Sequence, residues 1–236
     1  MSFKNFELYN DDCRSIFSKI PSHSVDVILT DPPYNIAKYS TGNISLPGRS
    51  EVNNSLGDWD LTEICPQDYV SEFKRIIKPT GNIFIFVAYS TIGRWHEAFD
   101  REFSTFQYFI WHKTNPMPKI RKNGFLNSCE MIACLWDKGH KWNFKKQAEM
   151  HNYFECPICM GKERVRNPVH SAQKPLRLLR HLLEISSDPG DRVFDPFMGV
   201  GSTGVACAEL GREFIGCELD LKFFSAAKER IESFGS

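Results

Sequence analysis

A chain of 236 residues, 42% hydrophobic and 25% charged, can bury one sizeable core, and its ordinary composition excludes an intrinsically disordered or collagen-like protein. Its 29 Lys and Arg balance 29 Asp and Glu, yet residues 1–72 hold eleven acids against five bases and residues 113–180 hold fourteen bases against five acids. A basic surface fit for phosphate is therefore compatible with a net charge of zero.

In chain order, Ser24–Thr30 (SVDVILT) is a short apolar run, and the two prolines of Asp31-Pro32-Pro33-Tyr34 cannot continue a ladder, which predicts a buried strand with the motif at its carboxyl end. Residues 35–60, rich in Asn, Ser and Gly, read as a long functional loop, a lid. Pro66–Lys78 places Tyr69, Phe73, Ile76 and Ile77 on one helical face, and Pro79-Thr-Gly81 is expected to stop that helix before the strand NIFIFV. A helix over Ile92–Phe103 and strands FQYFIWHK (106–113) and EMIACLW (130–136) follow. Pro175 is suited to open a helix with Leu176, Leu179, Leu182 and Leu183 as its buried stripe. The strand RVFD (192–195), a glycine-rich turn, a helix ending near Gly211 and the strand EFIGCELD (213–220) complete the chain. Helices alternating with apolar strands predict an α/β fold in one domain, 1–236, with a mostly parallel sheet and helices on both faces.

No run of eighteen apolar residues is present, and the opening MSFKNFELYND lacks the pattern of a secretion signal, so the expected location is the cytoplasm, without a membrane. The eight cysteines then read as reduced thiols. Cys156-x-x-Cys159 has the spacing of half a zinc site, for which His151 and His170 would have to complete the ligands; with no second such pair, two unligated thiols is the reading taken, and no metal is expected.

Two motifs carry chemistry. Gly199-x-Gly201-x-x-Gly204, between a strand and a helix, allows a tight turn and close backbone approach to a ligand, and Glu218 ends the next strand, where a carboxylate can accept from ribose hydroxyls. This pair fits either a dinucleotide or S-adenosylmethionine. Asp31-Pro32-Pro33-Tyr34 favours the second. The lone pair of a base's amino group is delocalised into the ring, and hydrogen-bond acceptors that hold the group pyramidal make it nucleophilic. Asp31 supplies one acceptor and a proline-fixed carbonyl another, while Tyr34 offers a face on which a flipped base can stack.

These residues resemble the beta-class DNA amino-methyltransferases, in which the catalytic motif precedes the cofactor motif. NDDCRSIFSKIPSHSVDVILTDPPYN, IKPTGNIFIF, WHKTNP, HSAQKPLRLL and DPFMGVGSTG look like that family's ordered blocks and span most of the chain. The resemblance implies a Rossmann-like methyltransferase sheet with permuted strand order. It also implies cofactor adenine contacts at Asp12 and Cys13, catalysis at Asp31 to Tyr34, and a pocket for the methionine end at His170, Ser171, Gln173 and Lys174. Asp195 and Phe197 would lie against the cofactor, Gly199, Gly201, Ser202 and Thr203 would form the turn beneath it, and Glu218 would clamp the ribose. Within the family, Asp at the first catalytic position is commoner among N6-adenine enzymes and Ser among N4-cytosine enzymes, so adenine in double-stranded DNA is the expected substrate and cytosine the alternative. Methylation of RNA or protein, or binding of DNA without catalysis, fits the motif order and the intact Asp31 and Glu218 less well. A homodimer and a cognate restriction endonuclease are the partners the resemblance suggests.

Trp111–Lys122 carries four bases and no acid, and Lys138–Lys146 carries four more with an interleaved Trp and Phe. Lys113, Lys119, Arg121, Lys122, Lys141, Lys145 and Lys146 are therefore the expected phosphate contacts, with residues 137–169 as a short target-recognition insertion.

Overall fold

A computed structural model describes residues 6–34, 64–119, 122 and 124–234; the lid expected at 35–60 and the expected phosphate contact Arg121 lie outside the described residues. Among the described residues one sheet has the strands β1 (Phe6–Tyr9), β2 (Val25–Thr30), β3 (Ile77–Val87), β4 (Thr105–Lys113), β5 (Cys129–Trp136), β6 (Tyr153–Cys156), β7 (Arg192–Asp195) and β8 (Glu213–Cys217). Their order is β1-β8-β7-β2-β3-β5-β4-β6, and only β5 runs against the rest. The mostly parallel sheet is thus present with its one reversed strand beside β3 and β4. Strand β2, which carries the first motif, lies beside β7, which carries the second, although their paired residues are more than 160 positions apart in sequence.

Strand periodicity sends successive side chains to opposite faces. Val27, Leu29, Phe84, Phe86 and Val193 pack with α4 (Leu176–Ser186), α5 (Ser202–Leu210) and α6 (Leu221–Ser233), whereas Ile28, Ile83, Ile85 and Phe194 pack with α1 (Cys13–Ile16), α2 (Gln67–Ile76) and α3 (Ile92–Phe99). Both faces are covered, which explains why β2 is buried along its whole length and reads as a continuous apolar run rather than an alternating one. The largest fully buried side chains include Phe73, Phe84, Phe86, Phe99, Phe194 and Phe214, so many of the chain's phenylalanines serve the core.

Four details differ from expectation. The helix after Pro66 ends at Ile76, and Ile77 already begins β3, so Pro79-Thr-Gly81 lies inside a strand rather than before one. Val25 pairs with Ile77 but Val27 pairs with Asn82; residues 78–81 bow out of the ladder there, and Pro79, which has no N–H to donate, falls within the bow. The helix from Ile92 stops at Phe99, not Phe103. Leu176 is only half-buried, and Leu178 and Ile185 join Leu179, Leu182 and Leu183 in the buried face. Glu218 stands one residue beyond β8. No helix among the described residues is long and apolar enough to cross a membrane.

Candidate active site

Because β1, β2, β7 and β8 are parallel, their carboxyl ends deliver Asp12, Asp31, Asp195 and Glu218 to the same edge of the sheet, where open α/β sheets hold their ligands. All four line a cavity of about 430 Å³, within the ~300–1,000 Å³ usual for small-molecule sites.

Its floor is the turn after β7. The Asp195 carboxylate accepts from the Thr30 hydroxyl at 2.8 Å, the Thr203 hydroxyl at 2.7 Å and the Phe197 amide at 3.1 Å, tying the ends of β2 and β7 to the start of α5. Burial pushes its pKa up to about 7, against the pull of those donors. Asp195 therefore builds the turn as well as bordering the pocket. Gly199, at φ 52°, leaves room for the His170 ring, whose Nε2 would lie 3.0 Å from a Cβ at that position. Its amide donates to Glu218 Oε2 at 2.9 Å, and the Asp220 amide donates to Oε1 at 2.8 Å. Two donors leave a carboxylate further lone pairs for hydroxyls in the cavity.

On the opposite wall Asp12 caps α1, accepting from the Arg14 amide at 2.9 Å, and its second oxygen pairs with the Arg14 guanidinium at 2.6 Å. The cavity-lining rings of Tyr69 and Phe197 lie 5.7 Å apart between this wall and the turn. An apolar slot for a planar group thus faces a carboxylate suited to a ribose.

The catalytic motif joins a chain of buried charges. Lys174 Nζ is paired with Asp31 Oδ2 and lies 3.4 Å from Glu130 Oε2, while Glu130 Oε1 is 2.6 Å from Lys113 Nζ. The Tyr34 hydroxyl donates to Glu130 at 3.5 Å, and its ring centroid is 5.4 Å from Lys174 Nζ. Burial raises the pKa of Asp31, with Lys174 opposing the rise; burial acts on Glu130 too, but Lys174 and Lys113 overcome it and hold that carboxyl below its usual range. Burial alone would depress Lys174, whereas the two carboxylates raise it and keep it charged. The second oxygen of Asp31, Oδ1, is buried without a hydrogen-bond partner. A lone acceptor atom fixed beside an aromatic ring can receive an N–H of a planar amine, and it needs no reorganisation to do so.

Residues 25–229 match the N6/N4 DNA methylase family, most of the chain. The chain belongs to this family. It is 32% identical to the Type II methyltransferase M.HinfI of Haemophilus influenzae across 93% of its own length and 66% of that enzyme's, so it spans slightly less than two thirds of that relative. To the Type II methyltransferase M2.DpnII of Streptococcus pneumoniae it is 30% identical, across 96% of the chain and 89% of the relative. The crystal structure of the M1.HpyAVI–SAM complex superposes with a TM-score of 0.67 at 25% identity, covering 95% of this chain and 99% of that one.

S-adenosylmethionine is the methyl donor of this methylase family, and when bound it supplies an electrophilic methyl group. Here Glu218 would take its ribose hydroxyls, Tyr69, Phe197 and Cys13 would flank its adenine, and the turn at Gly199 would lie beneath it. Of the sequence-derived cofactor residues, Asp12, Cys13, Asp31, His170, Gln173, Lys174, Asp195, Phe197, Gly199, Ser202, Thr203 and Glu218 line the cavity. Two do not border it. Ser171 is exposed, and Gly201, at φ 76°, is needed for packing, since a Cβ there would lie 2.9 Å from that of Ala227 on α6. Gln173 borders the cavity while bracing a loop, accepting from the Val165 amide and donating to the Glu163 carbonyl.

Glu130, Lys113 and Tyr69 are site residues that sequence reasoning passed over or assigned elsewhere. Lys113 was expected to meet phosphate, but its ammonium is held by Glu130. The basic run at 138–146 is also displaced. Lys141 pairs with Asp191 at 2.7 Å and Asp188 at 3.1 Å, and Lys145 with Glu184 at 2.7 Å. Because the Lys141 amide bonds Thr80 beside the start of β3, the run lies at the sheet edge away from Asp31, which removes Lys141, Lys145 and Lys146 from the mouth of the site. Lys119 and Lys122 are exposed on the loop between β4 and β5, at the catalytic edge. Cys156 and Cys159 are buried, with pKa values raised by burial to about 11 and about 12, and Cys159 Sγ donates to the Gln173 carbonyl at 3.4 Å. His151 and His170 border separate cavities.

Proposed function

We propose that this methylase transfers the methyl group of S-adenosylmethionine to the N6 amino group of adenine in double-stranded DNA, after the base has flipped out of the helix. The observation that carries this reading is the buried, unpartnered Oδ1 of Asp31, on a carboxylate whose other oxygen is held by Lys174 and on which the Tyr34 hydroxyl also acts. Asp31 accepts one amino hydrogen, Pro32 or Pro33 offers a carbonyl for the other, and Tyr34 stacks on the base. The amino nitrogen gains the methyl group and gives up one proton, and Asp31, its pKa raised by burial, is the nearest acceptor with a free lone pair. Names of the relatives, both Type II methyltransferases, support a modification enzyme with a cognate endonuclease. A homodimer is part of the same reading, because the target-recognition insertion at 137–169 is short and leaves base contacts to be shared between subunits.

The test is to methylate unmodified DNA, digest it to nucleosides and separate them by mass spectrometry. N6-methyladenine is expected; N4-methylcytosine in its place would refute the choice of base while leaving amino methylation intact.

A further inference from the structure

The loop joining β4 to β5, residues 114–128, contains three bases and no acid. It leaves the sheet at the catalytic edge. The Lys113 amide donates to the Ser128 carbonyl at 2.7 Å, and the Lys113 ammonium, bound to Glu130, also reaches the Asn127 carbonyl at 3.5 Å. The loop's base is therefore fastened to the same ion-pair chain that ends at Asp31.

On this loop stands Phe125, 95% exposed and the most exposed large apolar side chain among the described residues, with Leu126 and Met117 also exposed. Its presentation is built rather than loose. Gly124 takes φ 105°, a conformation costly for other residues, and the Lys119 ammonium donates to the Phe125 carbonyl at 3.2 Å across the turn. One exposed apolar side chain is ordinary, but Phe125, Leu126 and Met117 exposed together on one basic loop are the mark of an interaction surface. The other aromatic side chains in the basic stretches stand elsewhere: Trp111 is buried, Trp142 borders the cavity at the far edge of the sheet, and Phe144, although 55% exposed, is bonded to Trp142 on that same far edge.

We infer that Phe125 is the wedge that enters the duplex beside the target pair and fills the space the flipped base leaves, with Lys119 and Lys122 holding the flanking phosphates. Apolar side chains inserted between base steps unstack them, and cations beside such a wedge offset the repulsion of the phosphates drawn around it. This inference rests on the proposed reaction on duplex DNA.

Its test begins by mapping the methylated site by sequencing, then compares two duplexes carrying that site, one with a normal target pair and one with the target opposite an abasic position. In single-turnover transfer, Phe125→Ala should be slowed ~10-fold or more on the paired duplex and stay within about two-fold of wild type on the abasic one, where no partner base has to be displaced. Phe125→Trp should restore the paired duplex. S-adenosylmethionine affinity, measured by calorimetry, should match wild type in both variants. Tyr89, 76% exposed just past the carboxyl end of β3, is the competing ring at this edge. An equal loss on both duplexes, no loss, or the same duplex-dependent defect in Tyr89→Ala but not Phe125→Ala would overturn the wedge. Wild-type protein that methylates no DNA would overturn the underlying reaction, and the wedge with it.

Discussion

Lys174 binds Asp31 Oδ2, the Tyr34 hydroxyl acts on the same carboxylate, and Oδ1 is left as a buried acceptor. Asp31→Asn keeps the shape but replaces one acceptor with a donor and leaves two lysines, Lys113 and Lys174, against the single carboxylate of Glu130. The expected outcome is a fall in kcat on the order of 10²–10³, as when a preorganised group is lost, with S-adenosylmethionine affinity within a few-fold of wild type. Transfer of labelled methyl alongside calorimetry measures both; undiminished kcat would take Asp31 out of the reaction. His170 gives a second residue-scale prediction. Burial, aided by the Lys174, Arg230 and Arg164 charges, lowers its pKa from 6.5 to about 4, so the folded state disfavours the proton. For a depressed pKa the stabilising contribution is complete above 6.5 and is lost as pH falls towards 4, because the unfolded chain binds the proton first. Asp195 has the opposite sign: its pKa of about 7 contributes stability at low pH that is lost as pH rises through 7. Comparing variants isolates the histidine. Tm should fall more steeply between pH 7 and 4.5 in wild type than in His170→Gln, and parallel slopes would show that His170 titrates normally.

The element scale shows what could and could not be read in advance. Helices α2 and α4 were legible because each repeats apolar residues at helical period, and strands β2, β3 and β5 because each contains an unbroken apolar run long enough to stand out from its flanks. Strand β1, FELY, and strand β6, YFEC, are four-residue edge strands with only one fully buried side chain between them, too short to carry a period. Helix α6 escaped notice because only Ala227 and Ile231 are buried on it. The permuted neighbours β2 and β7 came from resemblance alone, since no local pattern reports a pairing so distant in sequence. The glycines were legible as a motif but not in their separate duties. Gly201→Ala would combine a positive φ with a Cβ 2.9 Å from Ala227, and should cost about 1–3 kcal/mol. In a domain of this size that is on the order of 2–12 °C in Tm. Gly93→Ala, in α3 with open space around it, should instead stabilise by about 0.4–1 kcal/mol. Calorimetric scans of the pair decide it, and a drop of equal size in both would reject the packing argument.

At the scale of the molecule, the parallel sheet sorts charge by edge, and this was the least legible property, because a count of lysines along the chain does not reveal which already have partners. Lys145 is bound to Glu184 at the edge remote from Asp31, whereas Lys122 is exposed on the loop that carries Phe125. A lysine on phosphate releases a counterion, so its removal lowers the slope of log affinity against log salt by about 0.9 per contact. Lys122→Gln should therefore weaken DNA binding at low salt and flatten that slope by about one contact, while kcat at saturating DNA changes little. Lys145→Gln should leave the slope unchanged and cost no more than the ~0–1 kcal/mol of an exposed ion pair in stability. Titrating labelled duplex across a range of salt distinguishes the two lysines. A flattened slope for Lys145→Gln with none for Lys122→Gln would place the DNA on the other edge of the sheet, where it could not reach Asp31.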